Sequence, residues 1–424
     1  MTQINGVVNE RFGAVAEALQ RNFADPGEIG ASAAVVHNGE LVVDIWAGHK
    51  DEERTQEWGR NTITNVWSTT KTMMAISALV LADRGELDFY KPVADYWPEF
   101  KAKGKGDIEV RHIMSHTSGL SGWGKKISMR EVCDWEKSTA ILAGQKPWWK
   151  PGSSSGYHML NQGHLVGEVI RRITGMSIGR FFKEEIADPL GADFHIGLDE
   201  SEFHRVSNVI YPKEEFSDQI KEFTKSLGKY RISGKVAMKT FMNPIPDDES
   251  AWENWWRSAE VPAANGHGNA RSVAMIQGLI SNGGEMNGVK LLKQETIDLI
   301  FDEQSHGPDL VLLMPLRFGI GYGLPNEEFP FLPQDGKVCF WGGWGGSLIV
   351  NDVDNGLTVS YMMNKMMQTV VGDTRGLSIL EVAHDSKNKI FARRRWDSNP
   401  RWVSPHTLSK RADSAALALL LKIT

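Results

Sequence analysis

The sequence predicts an α+β fold in which one domain is built from both ends of the chain and a mainly helical domain is inserted between them. Short apolar runs joined by Asn-Gly pairs occur near each end and predict antiparallel strands. Between them, short helical patterns alternate with polar loops that carry tryptophan. We therefore predict a discontinuous domain at residues 1–85 and 265–396, a helical domain at 86–264 and an appended tail at 397–424.

The first predicted elements are a helix and a β-hairpin. Residues 6–23 are predicted to form an amphipathic helix, because their apolar side chains recur at helical spacing. Residues 31–37 and 41–47 are apolar runs separated by Asn38-Gly39. Since an Asn-Gly pair tolerates the positive φ angles of a type I′ turn, these two runs are predicted to pair as a hairpin.

A helix predicted at residues 68–84 differs from the others in composition. It is rich in Ala, Met and Leu and apolar on most sides, which predicts a buried position at the centre of the molecule. Gly85 is expected to end it. The inserted region has further helical patterns at 163–174 and 181–190, and then a charged stretch at 200–262 without clear periodicity.

The C-terminal part of the chain returns to the pattern of the first part. Residues 269–281 are predicted to be helical, and residues 347–353 and 356–363 are predicted to be strands joined at a second Asn-Gly pair. A helix at 377–395 closes the domain. The tail beyond it has two interpretations, an appended segment outside the fold or a helix that docks its leucines on a neighbouring surface.

Composition narrows the class of protein. The chain has 424 residues with 47 basic and 53 acidic side chains, a formal charge of −6 that gives no basic footprint for nucleic acid. Its longest apolar run, at 415–421, is far shorter than the roughly 18 residues that span a bilayer. The first residues show no basic stretch followed by an apolar one, so we expect a cytoplasmic protein without membrane contact. Two cysteines exclude a disulfide framework.

The most informative motif is Ser68-Thr-Thr-Lys71, at the start of the predicted central helix. This spacing places the lysine one turn above the serine on the same helix face. A neutral lysine amine can take the serine hydroxyl proton there, and the helix N-terminus favours the developing negative charge. The lysine must be desolvated, or close to other cations, for its pKa to fall toward working pH. We therefore predict Ser68 as a nucleophile activated by Lys71.

Other serine motifs compete with this one. The Ser-x-x-Lys spacing recurs at Ser226 and Ser386, but neither opens a long buried helix. Residues 152–156, Gly-Ser-Ser-Ser-Gly, match the nucleophile-elbow pattern, which needs a buried strand entering the turn. Because Pro151 is unsuited to the end of a central strand, we interpret this run as a loop and reject Ser154 as the nucleophile.

Two further elements complete a candidate site. Tyr157 can pass a proton between nucleophile and leaving group if its hydroxyl is within hydrogen-bond reach, although a packing role is the alternative. The run at 341–347, Trp-Gly-Gly-Trp-Gly-Gly-Ser, lets the backbone approach a ligand and point N–H groups at it, although it also fits a glycine-rich turn. His112 and His116 lack the following Glu of a metallohydrolase helix, and we expect no metal there.

The order of these motifs resembles that of a known family. The residues that carry the resemblance are Ser68, Lys71, Tyr157 and the Trp-Gly-Gly run at 341–343. The sequence resembles the serine hydrolases of the β-lactamase and penicillin-binding-protein superfamily, and most closely the family VIII carboxylesterases, which are related to class C β-lactamases. The resemblance extends over about residues 6–395. It implies a β-lactamase/transpeptidase-like fold, with a central antiparallel sheet flanked by helices and an inserted, mainly helical domain.

The resemblance also implies a role for each matching residue. Ser68 is expected to be the nucleophile, Lys71 the general base and Tyr157 the proton shuttle. The backbone N–H groups of Ser68 and Trp344 are expected to form the oxyanion hole. Neither a metal nor a cofactor is implied.

Two departures from the class C pattern bear on the substrate. The third position of the Tyr-x-Asn motif is Met159, and Trp341 replaces the lysine that begins the third motif and attracts a substrate carboxylate. Tryptophan offers apolar surface and one N–H donor but no charge. The resemblance thus implies hydrolysis of uncharged short-acyl esters through an acyl-enzyme on Ser68. The alternatives are a β-lactamase, D-amino-acid peptidase or acyltransferase with the same residues, or a non-catalytic peptidoglycan-binding homologue.

Tryptophan is unusually frequent, with 15 residues against 7 Tyr. Several tryptophans flank the motifs, and we predict that they line a cleft for an uncharged small-molecule ester. The predicted substrate-binding residues are Trp67, Trp148, Trp149, Trp341, Gly342 and Gly343, and Trp344 is expected to add a further cleft wall. Three others, Trp252, Trp255 and Trp256, fit either a lid or a core.

Overall fold

The computed structural model describes residues 2–24, 27–212, 233–245 and 250–387. The predicted tail at 397–424, the end of the helix predicted at 377–395 and Ser226 lie outside the described residues. Within the described part, no helix has the length and apolar character needed to cross a membrane.

The strands and helices are numbered in chain order. The described strands are β1 (Asn5–Val8), β2 (Gly30–His37), β3 (Glu40–Gly48), β4 (Ile63–Asn65), β5 (Val206–Ser207), β6 (His267–Gly268), β7 (Glu285–Met286), β8 (Val289–Lys290), β9 (Ser305–Pro308), β10 (Pro315–Phe318), β11 (Val338–Gly342), β12 (Leu348–Asp352) and β13 (Leu357–Met363). The described α-helices are α1 (Gly13–Asn22), α2 (Thr70–Asp83), α3 (Val93–Tyr96), α4 (Val110–Met114), α5 (Met129–Val132), α6 (Trp135–Gly144), α7 (Gln162–Thr174), α8 (Ile178–Phe182), α9 (Asp188–Leu190), α10 (Ser233–Phe241), α11 (Asn254–Ser258), α12 (Ala270–Ser281), α13 (Gln294–Asp298) and α14 (Thr374–Lys387).

The central sheet joins the two ends of the chain. Its six strands lie in the order β1-β3-β2-β13-β12-β11, and every neighbouring pair is antiparallel. The predicted hairpin forms, and both turn residues adopt the expected left-handed backbone, with φ of 52° at Asn38 and 77° at Gly39. The α+β class is therefore confirmed. The division into two domains stays a prediction.

Helices cover both faces of this sheet. On one face α12 packs on β2 and β13, where the Ser281 hydroxyl lies 2.7 Å from that of Thr358. On the other face α14 and α1 pack together, and Gly376 in α14 approaches the ring of Tyr361. The side chains of Thr358 and Tyr361 point to opposite faces because they are three residues apart in one strand. The sheet is thus the middle layer of three.

The N-terminal prediction was partly wrong. Residues 5–8 form strand β1 on the edge of the sheet rather than the start of a helix, and the helix begins at Gly13 after a short 3-10 turn at Glu10–Phe12. Gly6 has a φ of 112°, and a Cβ at this position would collide with the Asp44 carbonyl of the neighbouring strand. Pairing with β3 therefore overrides the helical periodicity, which continues only in α1. Strand β11 was not predicted at all.

Helix α2 occupies the central position that its composition predicts. Every residue from 70 to 81 is buried, and α7, α8, α12 and α13 pack around it. Gly85 follows the helix with a φ of 74°, as expected of a residue that ends a helix. The residues at the start of α2 are therefore largely surrounded by protein, which places polar groups such as Lys71 in a low-dielectric environment.

Candidate active site

The predicted nucleophile lies on a tight turn that leads into α2. Residues Trp67–Thr69 form one 3-10 turn, and Trp67 has a left-handed φ of 47°, which costs a non-glycine residue free energy. The hydroxyl of Thr70 donates to the Trp67 carbonyl at 2.5 Å and accepts from the N–H of Gly266 at 2.8 Å. The turn is thus fastened to the helix and to the segment before β6, and Ser68 keeps 8% of its surface exposed.

Lys71 reaches the Ser68 hydroxyl, as the spacing predicts. Its Nζ lies 3.1 Å from Ser68 Oγ and donates to the carbonyls of Met159 at 2.7 Å and Ala263 at 2.9 Å. The side chain is 2% exposed. Burial lowers the pKa of Lys71 well below its ordinary value, because desolvation penalises the ammonium form. The desolvation that the sequence argument required is therefore present.

Tyr157 comes to the same hydroxyl from the inserted region. Its O–H donates to Ser68 Oγ at 2.8 Å, and Trp341 Nε1–H donates to the Tyr157 oxygen at 3.2 Å. Burial raises the pKa of Tyr157, so the phenol stays protonated at neutral pH. Its backbone N–H donates to Asp309 at 3.1 Å, which ties it to the segment between β9 and β10.

Two neutral histidines surround Tyr157. The ring of His116 lies 4.8 Å from that of Tyr157, and its Nδ1 accepts from the N–H of His158 at 3.0 Å. Burial lowers the pKa of His116 well below its usual value, and it lowers that of His158 to about 3. His112 instead accepts from the N–H of Glu109. Across the described ranges, no group of three or more His, Cys, Asp or Glu side chains is arranged to hold a metal ion.

The glycine run predicted to approach a ligand lies directly beside the nucleophile turn. Strand β11 ends at Gly342, and a Cβ on Gly343 would collide with the Val66 carbonyl and lie 3.2 Å from the Ser68 nitrogen. The Ser347 hydroxyl donates to the Val66 carbonyl at 2.9 Å and lies 2.9 Å from that of Thr69. Only glycine therefore fits at position 343, and the loop and the turn are fixed to each other by hydrogen bonds.

The predicted cleft tryptophans divide into three groups. Trp341 contacts Tyr157 directly. Trp67 and Trp344 pack against each other, with ring centroids 4.9 Å apart. Trp148 lies under the ammonium of Lys239 in α10, and Trp149 donates from Nε1 to the Ser154 carbonyl of the adjacent loop at 2.9 Å.

The three tryptophans of the charged stretch also separate. Trp256 is fully buried and donates to Asn65 at 2.9 Å, and it is therefore a core residue. Trp255 is half-buried, and its ring lies under the guanidinium of Arg130. Trp252 is 41% exposed and packs on Tyr211, which in turn packs on Trp344.

The competing serines lie in different surroundings. Ser154 sits in a loop without a preceding strand, and its hydroxyl donates to the neighbouring Ser153 carbonyl at 2.7 Å. Ser386 is buried inside α14 and donates to the Val382 carbonyl at 2.7 Å. Of the serines weighed as nucleophiles and described by the structure, Ser68 is the one that has a lysine amine and a tyrosine hydroxyl within hydrogen-bond distance.

Sequence reasoning missed several groups that build this site. The carbonyls of Met159 and Ala263 orient Lys71, and Asp309 accepts three backbone N–H groups, those of Tyr157, Val311 and Leu312. Backbone carbonyls carry no residue-type signal. Asp309 lies 152 residues from Tyr157 in the chain, so no local pattern connects the two.

Comparisons with known proteins identify the family of the chain. A model of the Beta-lactamase family matches residues 15–384. The chain is 33% identical over 373 residues to Esterase/beta-lactamase LipL of Mycobacterium tuberculosis, covering 87% of this chain and 85% of that protein. It is similar to the crystal structure of a family VIII carboxylesterase, with a TM-score of 0.83, 36% identity and coverage of 91% of this chain and 100% of that one. A penicillin-binding protein homologue from Caulobacter crescentus gives a TM-score of 0.81 and 34% identity, with the same coverage.

Proposed function

We propose that this chain, which belongs to the Beta-lactamase family and is a serine hydrolase, acts as a carboxylesterase. The family match spans residues 15–384. In this proposal the enzyme hydrolyses uncharged short-acyl esters through an acyl-enzyme on Ser68. The observation that carries this proposal is a directional chain of hydrogen bonds centred on Ser68. The phenol of Tyr157 donates to Ser68 Oγ at 2.8 Å, and Lys71 Nζ lies 3.1 Å from the same oxygen. When the Lys71 amine is neutral, its lone pair can accept the serine O–H.

The partners of Lys71 favour this direction. A neutral lysine amine has two N–H bonds and one lone pair. The carbonyls of Met159 and Ala263 lie at 2.7 and 2.9 Å and take both N–H bonds, so the lone pair is left for the Ser68 proton. The lowered pKa of Lys71 supports the neutral form. The base is thus oriented before any substrate binds.

In the first step Ser68 Oγ attacks the ester carbonyl carbon and forms the new C–O bond. The serine proton moves to Lys71, and the carbonyl electron pair moves to its oxygen. When this tetrahedral intermediate collapses, the bond to the alcohol oxygen breaks, and the departing alkoxide takes a proton from Tyr157, which Lys71 restores. Water then attacks the acyl group with the same residues acting in reverse, and the carboxylic acid and free Ser68 are released.

The developing oxyanion requires donors fixed in advance. We assign this part to the backbone N–H groups of Ser68 and Trp344. Supporting observations are the close approach of Gly343 to the Ser68 nitrogen and the hydrogen bond between Ser347 and the Val66 carbonyl. One such donor contributes about 3 kcal/mol to transition-state stabilisation in other hydrolases.

The chemistry of the surroundings favours an uncharged substrate. Trp341 gives an apolar ring and an N–H already directed at Tyr157, and Met159 gives an apolar side chain. Lys71 is the basic side chain in contact with Ser68, and its amine carries no charge when it accepts the serine proton. A substrate carboxylate would therefore gain no ionic partner from these three residues. The name of the Mycobacterium relative, Esterase/beta-lactamase LipL, supports ester hydrolysis itself.

The test compares Ser68→Ala with Ser154→Ala on p-nitrophenyl acetate and with a fluorophosphonate that labels activated serines. Ser68→Ala is expected to lose labelling and nearly all turnover, because the variant lacks the hydroxyl on which the acyl-enzyme is proposed to form. Ser154→Ala is expected to retain both. Turnover that survives in Ser68→Ala but disappears in Ser154→Ala would refute the proposal.

A second candidate is β-lactam hydrolysis, since the name of the Mycobacterium relative includes it. The same Ser68, Lys71 and Tyr157 would open the lactam ring instead of an ester. A chromogenic cephalosporin decides between the two. A kcat/KM for the cephalosporin above that for p-nitrophenyl acetate would make the lactamase activity the principal one.

A further inference from the structure

A buried charged cluster that the proposed reaction does not use lies behind the glycine run. Arg375, near the start of α14, is ion-paired with Asp373 and with Glu28, which precedes β2. The three side chains are 10%, 7% and 0% exposed. Charged groups are rarely buried to this degree, because the desolvation penalty exceeds the gain from pairing unless the geometry is good and further hydrogen bonds satisfy the remaining groups.

The guanidinium of Arg375 binds main-chain groups as well as carboxylates. Its Nη2 donates to the carbonyl of Gly345 at 2.9 Å, and its Nη1 donates to the carbonyl of Lys365 at 2.8 Å. Its Nε contacts both oxygens of Asp373 at 3.1 Å. The planar guanidinium fork fixes these directions relative to one another, which a flexible ammonium cannot do.

Gly345 directly follows Trp344, to which the oxyanion donor was assigned. The Gly345 N–H donates to the Thr369 carbonyl at 2.9 Å, and its own carbonyl accepts from Met367 at 2.9 Å in addition to Arg375. A Cβ on Gly346 would collide with Asp373. The Gly345–Gly346 peptide is thus in close contact with the cluster and hydrogen-bonded to it.

A run with four glycines among residues 342–346 has little intrinsic rigidity, because glycine allows many backbone conformations. An oxyanion donor stabilises the transition state only if it is already in place when charge develops. The Trp344 N–H therefore depends on contacts that hold the backbone of the run in place, and the Arg375 bond to the Gly345 carbonyl is one of them.

We propose that Arg375, oriented by Glu28 and Asp373, is a positioning residue that fixes the Trp344 N–H for the oxyanion by binding the Gly345 carbonyl. This inference rests on the proposed function. Arg375 touches no reacting atom. Its effect is expected on the transition state and not on the binding of the ester, since the oxyanion exists only after attack.

The test measures kcat and KM of Arg375→Lys and Arg375→Ala with p-nitrophenyl acetate, together with the thermal unfolding midpoint. Arg375→Lys keeps a positive charge against the two carboxylates but cannot form the fork. We expect kcat to fall about 10- to 100-fold with KM within about 2-fold of the wild-type value. Added guanidinium ion, at millimolar concentrations that do not unfold the protein, is expected to restore part of the kcat of Arg375→Ala.

Arg205→Ala is the matched control. Arg205 is also largely buried, is ion-paired with two carboxylates, Asp193 and Glu202, and donates to a carbonyl, that of Asn61. It makes these contacts away from the glycine run. We expect Arg205→Ala to lower the unfolding midpoint while kcat stays unchanged, and guanidinium to have no effect on its kcat.

The outcomes separate this inference from the proposed function. A folded Arg375→Lys with kcat within 2-fold of wild type would overturn it, and so would equal losses of kcat in Arg375→Ala and Arg205→Ala without rescue. Either result leaves the proposed function intact provided that Ser68→Ala is inactive. Turnover in Ser68→Ala would instead refute the proposed function itself.

Discussion

Two buried lysines show what separates a structural amine from a candidate base. Lys105 donates to three carbonyls, those of Ala102, Ala143 and Gln145, at 2.7, 2.8 and 2.5 Å. Lys71 donates to two carbonyls and has the Ser68 hydroxyl as its third neighbour. Burial lowers the pKa of both, that of Lys105 to about 8.

The third neighbour makes the difference between them. Three carbonyl acceptors match the three N–H bonds of an ammonium group and stabilise the charged form of Lys105. At Lys71 a hydroxyl takes the place of the third carbonyl, and a hydroxyl, unlike a carbonyl, can also donate its proton to a neutral amine. Burial alone therefore does not identify a base, and the hydrogen-bond partners must be counted.

The largest expected effect that tests this comparison is that of Lys71→Ala. The change removes the amine that accepts the Ser68 proton in the proposed mechanism. We expect kcat/KM on p-nitrophenyl acetate to fall by about 10⁴-fold, the upper end for a general base. In the wild type, kcat/KM should fall as the pH falls through the lowered pKa of Lys71, because only the neutral amine accepts a proton.

The matched control for this prediction is Lys105→Met. It removes the other buried amine, and it is expected to lower stability while the pH profile of kcat/KM stays as in the wild type. If Lys105→Met abolished turnover as thoroughly as Lys71→Ala, or if Lys71→Ala kept the acid limb of the profile, the distinction drawn between the two lysines would be wrong.

Tyr157→Phe is expected to have the next largest effect. The change removes the O–H that donates to Ser68 and protonates the alkoxide, but it leaves the ring packed on His116 and Trp341. We expect kcat to fall about 10²- to 10³-fold with little change in the unfolding midpoint. Esters with better leaving groups need less protonation of the departing oxygen. The loss of kcat should therefore become smaller along a series of esters whose leaving phenols are increasingly acidic. An equal loss across that series would argue against proton transfer by Tyr157.

The sequence predicts those parts of the molecule that depend on neighbouring residues. The β2–β3 hairpin follows from Asn38-Gly39, and the central helix follows from its apolar composition. The Ser68–Lys71 contact follows from one helical turn. Each of these is decided within about a dozen residues.

Parts that depend on distant segments could not be predicted in this way. Strand β1 forms because β3 offers an unpaired edge. Strand β11 pairs with β12, but its residues show no strong alternation of apolar and polar side chains that would predict a strand. The same limit applies to the site. Lys71 donates to carbonyls 88 and 192 positions away, and Asp309 lies 152 positions from Tyr157. Arg375 contacts the glycine run through a backbone carbonyl, which has no residue-type signal.

The Ser68–Lys71 side of the candidate site follows from local sequence, whereas the position of the glycine run depends on distant contacts. Ser347→Ala tests the glycine run. The Ser347 hydroxyl ties the glycine run to the nucleophile turn through Val66 and Thr69. Deleting it should lower kcat by about 10-fold, less than loss of a whole oxyanion donor, because the run stays anchored at Gly345. Ser281→Ala is the matched control, since that buried hydroxyl also pairs with a threonine, Thr358. Both changes should cost about 1 kcal/mol of unfolding free energy, but only Ser347→Ala should lower kcat. Equal kcat values in the two variants would mean that this hydrogen bond serves stability alone.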